Sequence, residues 1–255
     1  MAITLKNDNQ IRRMQDAGQI VALIHNRIER AIGPGVSTAE LDEIARDTLH
    51  ETGAVSSFLN YRGYPAHICA SVNEQIVHGI PGPRRLEAGD IISVDVGAIY
   101  GGYHGDSAWT YPVGEISDEA RALLRATEQA LDVAIAAAKS GNRLGAIGHA
   151  VSAFADAHGY GVVRDYGGHG IGRQMHEDPH VPNIGDPGQG VMLRPGLTLA
   201  IEPMLVTGSG FTRTLSDGWT VVTADNSLAA HFEHTVAISP QGGAVLTPRL
   251  APVLE

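Results

Sequence analysis

Asp90-Ile91-Ile92-Ser93-Val94-Asp95-Val96-Gly97-Ala98-Ile99-Tyr100 is followed by Gly101-Gly102 and then by a second run, Tyr103-His104-Gly105-Asp106-Ser107-Ala108-Trp109-Thr110-Tyr111-Pro112-Val113. Two alternating runs joined by a glycine pair predict an antiparallel hairpin, because the tight turn that suits right-twisted strands needs positive φ at its centre. Each run carries an acid, Asp95 in the first and Asp106 across the hairpin from it in the second. Just upstream, Leu86-Glu87-Ala88-Gly89 leads through an apolar run to Asp95, and Leu193-Arg194-Pro195-Gly196 leads through another to Glu202 with the same offset from glycine to carboxylate. This likeness predicts an internal duplication, with halves of roughly 1–115 and 116–255 inside a single domain spanning 1–255.

The flanking sequence gives each half a pair of helices. Ile11, Met14, Val21, Ile24, Ile28 and Ile32 recur at helical spacing until Gly33-Pro34-Gly35, and Ser37 with Glu40 makes a capping-box pattern ahead of a second helix that stops near Gly53. In the second half Ser117 opens a helical stretch to about Lys139, and Leu144, Ile147, Val151 and Phe154 mark another that closes at Gly159. Strand-like runs then occupy 197–206, 219–223 and 230–239.

At 255 residues the chain is near the upper size for one hydrophobic core, roughly 250–300 residues, and 43% hydrophobic against 18% charged residues marks a globular chain. The net charge of −10 lacks the cationic footprint of a nucleic-acid partner, so no specific nucleic acid is expected. Met1 to Asp8 shows no basic stretch followed by an apolar one, and no apolar run approaches the roughly 20 residues of a membrane span. The single cysteine, Cys69, has no internal disulfide partner, which fits a reducing cytoplasm.

An acid within an apolar strand is costly to bury unless its charge is compensated. Asp95, Asp106, Glu202 and Glu233 are four such acids. Each alone reads equally well as a solvated or Arg/Lys-paired strand-end residue. Brought to one core they would repel one another, and divalent cations are the usual remedy, since carboxylates ligate hard and borderline ions and bridge pairs of them. His169, set in Gly167-Gly168-His169-Gly170-Ile171-Gly172, and His176 seven residues later add imidazoles. The segment His176-Glu177-Asp178-Pro179-His180 fits the H-E-x-x-H pattern, but Pro179 breaks the helix that zinc-protease chemistry requires. The glycines around His169 lack the Lys-Ser/Thr of a phosphate loop, and Cys69 reads as a pocket or core residue rather than a nucleophile.

Taken in order, Val72-Asn73-Glu74 with His78-Gly79-Ile80-Pro81, Asp95 with His104-Gly105-Asp106, Gly168-His169-Gly170-Ile171-Gly172, Ile201-Glu202-Pro203-Met204 and Phe232-Glu233-His234-Thr235 resemble the type I methionine aminopeptidases of the creatinase, or pita-bread, family. The resemblance implies an α+β pita-bread fold of two pseudo-symmetric halves with a central antiparallel sheet covered by helices. It also implies two divalent ions (Co, Mn, Fe or Zn), with Asp106 and Glu233 bridging them, Asp95 on one and His169 and Glu202 on the other. Glu202 would move protons as well as ligate, and His78 and His176 would contact substrate. Tyr61, Tyr64, Cys69 and Trp219 would line a methionine pocket, with Phe58 and Met175 as neighbouring walls.

The activity so implied is removal of the initiator methionine when the second residue is small. The partners implied are the N-termini of nascent polypeptides, met by a monomer in transient proximity to the ribosome, with no membrane. Proline-specific relatives usually carry a further N-terminal domain, and type II enzymes a helical insertion, neither of which is legible here. A non-catalytic relative would have lost ligand positions, and all five are intact.

Overall fold

The computed structural model describes residues 3–249, so residues 1–2 and 250–255 of the expected single domain lie outside the described residues. Helix α1 (Asp8–Ala31) begins where Asn7 accepts a hydrogen bond from the Gln10 amide and the Gln10 side chain accepts one from the Asn7 amide. This reciprocal cap starts the helix ahead of Ile11, where the apolar spacing begins. Helix α2 (Thr38–Thr52) has the expected Ser37/Glu40 capping box and ends at Gly53 in the left-handed conformation. Ser117 caps α3 (Asp118–Ala137), and α4 (Gly145–His158) closes at Gly159. The apolar stripe of α1, including Met14, Val21, Ile24 and Ile28, lies against the long hairpin, whereas α3 covers strands of the second half.

The hairpin forms as expected, from Ile91–Tyr100 and Tyr103–Pro112 closed by Gly101-Gly102. Its register places the two acids. Asp95 pairs with Ala108, and Asp106 pairs with Gly97, so the two acids are diagonal neighbours rather than direct partners. Because side chains alternate with period two, both still project from the same face.

The second half departs further. The expected strand at 197–206 is two strands, Thr198–Ile201 and Met204–Val206, and the run at 230–239 is likewise Ala229–His231 and His234–Ile238. Ile201 pairs with His234 and Met204 with His231 on one common register, which leaves Glu202 opposite Glu233 in the gap between the two ladders. Pro203 causes part of this break, since it has no N–H to complete a rung. The Glu233 amide turns away to donate to Ala108 O at 2.8 Å, on the first hairpin.

Two threonines tie the halves together beside that gap. Thr110 Oγ1 accepts from the His231 amide and donates to the His231 carbonyl, both at 2.9 Å, while Thr235 Oγ1 accepts from the Asp106 amide at 3.1 Å and donates to the Asp106 carbonyl at 2.9 Å. The strand Gly167–Gly170 joins the same region against Thr198–Ile201. A Cβ on Gly168 would stand 2.1 Å from the Ala200 carbonyl oxygen, so glycine is demanded here by the approach of a neighbouring strand. The H-E-x-x-H segment is not helical: Glu177–Pro182 is a strand paired with Gly167–Gly170. The run at 219–223 is the strand Val221–Thr223, with Trp219 in the preceding turn held by Asp217.

All pairings between these strands are antiparallel, and one main core, with Ile28, Leu41, Val94, Leu123, Ile147 and Val236 among its members, runs through both halves. Among the described residues, no helix is long and apolar enough to cross a membrane.

His25 on α1 is buried, with Nε2 at 2.9 Å from Ser107 O and Nδ1 at 3.0 Å from Tyr111 Oη. Burial drives its pKa down to about 3. The unfolded chain takes up this proton near pH 6.5 and the folded chain only near 3, so stability from this group is complete above about pH 6.5 and is lost as pH falls toward 3. Urea unfolding across that window is expected to show this loss, and His25→Gln is expected to flatten the slope.

Candidate metal centre and substrate cavity

Asp95 and Asp106 come from the hairpin, Glu202 and Glu233 from the gap in the second-half ladders, and His169 from the glycine-rich strand. The structure brings all five to one side of a cavity of about 150 Å³. Nε2 of His169 lies 3.8 Å from Asp106 Oδ2 and 3.8 Å from Glu202 Oε1. Ligand atoms of Asp106, His169 and Glu233 fall within 4.8 Å of one another, close enough to hold one ion.

The electrostatics fit a cation. Asp95 Oδ1, Asp106 Oδ1 and Glu233 Oε1 are buried without a hydrogen-bond partner in the protein. Burial, with the charges of Asp95 and Glu202, pushes the Asp106 carboxyl well above its ordinary value, and burial with Asp106, Glu202 and Asp95 does the same to Glu233. Burial raises Asp95 to about 7 against the opposing influence of His231. Glu202 is different: burial pushes it up, yet His231, His169 and His176 together bring it below the usual carboxylate value. No Lys or Arg contacts these acids among the described ion pairs, so a paired-carboxylate reading has no partner to offer. Carboxylate-rich donors with one or two imidazoles suit divalent ions of the Mn, Fe, Co and Zn range.

Opposite the acids, the chamber is apolar. Phe58, Tyr64, Cys69 and Met175 form a buried cluster with Tyr61 and Trp219 packed on it, so every residue expected in the pocket lines the cavity. Tyr64 donates its hydroxyl to Ile68 O at 3.0 Å and Gly79 O at 2.9 Å, which turns a satisfied, apolar ring to the chamber, edge-on to Trp219 at 5.1 Å. Burial and the nearby Asp95 push the Cys69 thiol up, which opposes a nucleophilic role. A void of about 150 Å³ holds a benzene-sized guest, so the chamber has room for one side chain.

His78 and His176 stand at the junction between acids and pocket. His78 has φ of +61°, an uncommon conformation for a residue with a Cβ. Its neighbour Gly79 cannot take a side chain, because a Cβ would stand 2.3 Å from the Ala70 carbonyl oxygen. The His176 ring lies 4.1 Å from the His169 ring, tilted 41° to it, and its Nδ1 lies 2.8 Å from Tyr61 Oη. Burial and His169 drive its pKa down to about 3, so the ring is neutral, and burial lowers His78 also.

Two residues at the site escape a reading by sequence. Arg62, with φ of +51°, stands at the rim of the chamber, and a turn residue without periodicity gave no signal for it. His231 Nε2 is 3.4 Å from Glu202 Oε2 and 4.0 Å from Glu233 Oε2. Its signal was present: two residues before Glu233 in a strand-like run, it shares that acid's alternation.

Comparison with known proteins agrees with this geometry. Residues 12–240 match Metallopeptidase family M24. Methionine aminopeptidase 1 of Bacillus subtilis is 51% identical over 245 residues, covering 96% of this chain and 99% of that protein. A methionine aminopeptidase of Clostridium acetobutylicum is 51% identical over 246 residues, 96% of this chain and 98% of its own. The crystal structure of methionine aminopeptidase from Thermotoga maritima superposes with a TM-score of 0.95 at 42% identity, covering 96% of this chain and 99% of that one. The prolidase from Pyrococcus horikoshii, at 21% identity and a TM-score of 0.78 over 98% of this chain and 65% of its own, shares the fold alone. With four convergent acids, a histidine-flanked cleft and this likeness along almost its whole length, the chain belongs to metallopeptidase family M24 and, within it, to the methionine aminopeptidases.

Proposed function

We propose that this chain removes the initiator methionine from nascent polypeptides, preferring a small second residue, with Asp95, Asp106, His169, Glu202 and Glu233 holding two divalent ions. The observation that carries this reading is the meeting of unpartnered buried carboxylates with an apolar chamber sized for one side chain. The names of the relatives at 51% identity support the same activity. The reading treats the chain as one catalytic domain of two repeated halves, supported by the helix pairs α1/α2 and α3/α4 and by the matched offsets to Asp95 and Glu202.

Such ions supply Lewis acidity toward a carbonyl and a lower pKa for water. The chain's side chains do the rest. Glu202, held ionised by the imidazoles around it, accepts the proton of the attacking water and passes it toward the leaving amine. Neutral His176, with Nδ1 accepting from the Tyr61 hydroxyl, carries its proton on Nε2 and offers that N–H to the oxygen that gains charge in the transition state. His78, fixed by its left-handed backbone, positions the scissile amide nitrogen. The methionine side chain enters between Tyr61, Tyr64, Cys69 and Trp219, where an unbranched thioether fits an aromatic slot. The acids draw the substrate α-ammonium group to their side of the cavity, which favours cleavage after the first residue.

Removing one of the crowded acids should cost function and improve the metal-free protein. Glu233→Gln is expected to abolish peptidase activity yet to stabilise the metal-free chain at pH 8 by about 1–3 kcal/mol, the scale of relieving one uncompensated buried group. Denaturant unfolding of both chelated proteins reads this directly, and equal or lower stability of the variant contradicts the account.

Specificity is read with Met-Ala-Ser, Met-Leu-Ser and Leu-Pro-Ala. Met-Ala-Ser is expected to be cleaved fastest, with Met-Leu-Ser slower by about tenfold or more for a crowded second position. Faster cleavage of Leu-Pro-Ala would reject the methionine assignment and retain only metallopeptidase chemistry.

A further inference from the structure

His231 ends the strand Ala229–His231, beside the gap that contains Glu202 and Glu233. Its backbone is pinned on both sides, by Met204 across the ladder and by the Thr110 hydroxyl, which bonds both its amide and its carbonyl. The ring is therefore delivered from a fixed point. It is 2% exposed, and Nε2 has no hydrogen-bond partner in the protein. A buried polar nitrogen left in this state is costly, which is unexplained if His231 merely fills space.

Its surroundings give the reason. Nε2 faces Glu202 Oε2 at 3.4 Å, while the other oxygen of the same carboxylate, Oε1, faces His169 Nε2 at 3.8 Å. Glu202 thus lies between two imidazoles, one on each oxygen. The first separation sits just beyond the ordinary N–H···O range of about 2.7–3.2 Å, so donor and acceptor are poised, and a small side-chain rotation closes the contact. Without a donor on Oε2, Glu202 would be free to turn, since His169 and His231 are the two side chains the described ion-pair contacts place against its carboxylate.

We propose that His231 is a positioning residue whose Nε2–H donates to Glu202 Oε2 and thereby aims Oε1 at His169 and the carboxylate cluster. This rests on the metal-centre reading of Glu202. It assigns His231 a role outside the five ligands: it orients a ligand rather than joining them.

Titration calorimetry of Co²⁺ into chelated, metal-free protein tests it. His231→Met keeps bulk but removes the donor and is expected to weaken Co²⁺ binding about 10–100-fold, the usual consequence of losing a partner that orients a ligand. His231→Gln retains a side-chain N–H, which is a poor metal ligand but a good donor, and is expected to stay near the wild-type affinity. In a Glu202→Gln background, His231→Met is expected to change little further, because its effect runs through the Glu202 carboxylate. Wild-type affinity in folded His231→Met, an equal loss in His231→Gln, or an undiminished effect in the Glu202→Gln background overturns the proposal. If His231→Met does not fold, His231→Gln decides alone, near-wild-type affinity supporting the assignment and a loss overturning it. Absence of Co²⁺ binding to the wild-type chain would instead reject the metal-centre reading itself.

Discussion

Four carboxylates meet at one cavity, Asp106 and Glu233 buried and Asp95 and Glu202 partly so, and the strands around them are arranged to bring them there. Removing a carboxylate from water is costly, and each further negative charge nearby raises that cost. Asp95, Asp106 and Glu233 respond as isolated buried acids must, with pKa values driven upward, and each leaves an oxygen without a protein partner. The proposed pair of divalent ions would reverse that balance by supplying the missing charge and partners together. Under the proposed function, the costly metal-free arrangement of these acids would become a favourable one on metal binding.

Much of the local architecture follows from delivering those acids to one point. The first pair comes from an uninterrupted hairpin, where alternation alone sets Asp95 and Asp106 on one face. The second pair needs a different device, because Glu202 and Glu233 face each other from strands whose ladder is interrupted at Pro203. The break frees the Glu233 amide to bond the first hairpin, and Thr110 and Thr235 restore hydrogen bonds on either side. The joint between the halves is thus also the site. The pocket repeats this economy: the backbone carbonyls that satisfy the Tyr64 hydroxyl belong to Ile68 and to Gly79, the residue after His78, so one contact shapes both the apolar wall and a polar one.

The pita-bread fold was legible in the chain because its signals are local or periodic. Ser37 and Glu40 announce α2, and the Ile/Val alternation around Gly101-Gly102 announces the hairpin. The four acids and one histidine expected at the site also converge, since an acid in an apolar strand is informative wherever the strand lies. The two merged strands were misread because the apolar run continues across each break, although Pro203 inside the run was a signal against one ladder. His231 obeys the same alternation as Glu233 but gives a weaker signal, because a histidine is less costly to bury than an acid. The contact between Tyr61 and His176 had no comparable signal, since the residues lie 115 positions apart and only folding joins them.

Native mass spectrometry of the chelated protein titrated with Mn²⁺, with proton release followed in weakly buffered solution near pH 7, shows whether two divalent ions complete the carboxylate cluster. Saturation at two ions per chain is expected, with net proton release, because burial and the neighbouring carboxylates raise the pKa values of Asp95, Asp106 and Glu233 and a bound cation favours their charged forms. Absence of Mn²⁺ binding, or binding of two ions without proton release, would contradict this expectation.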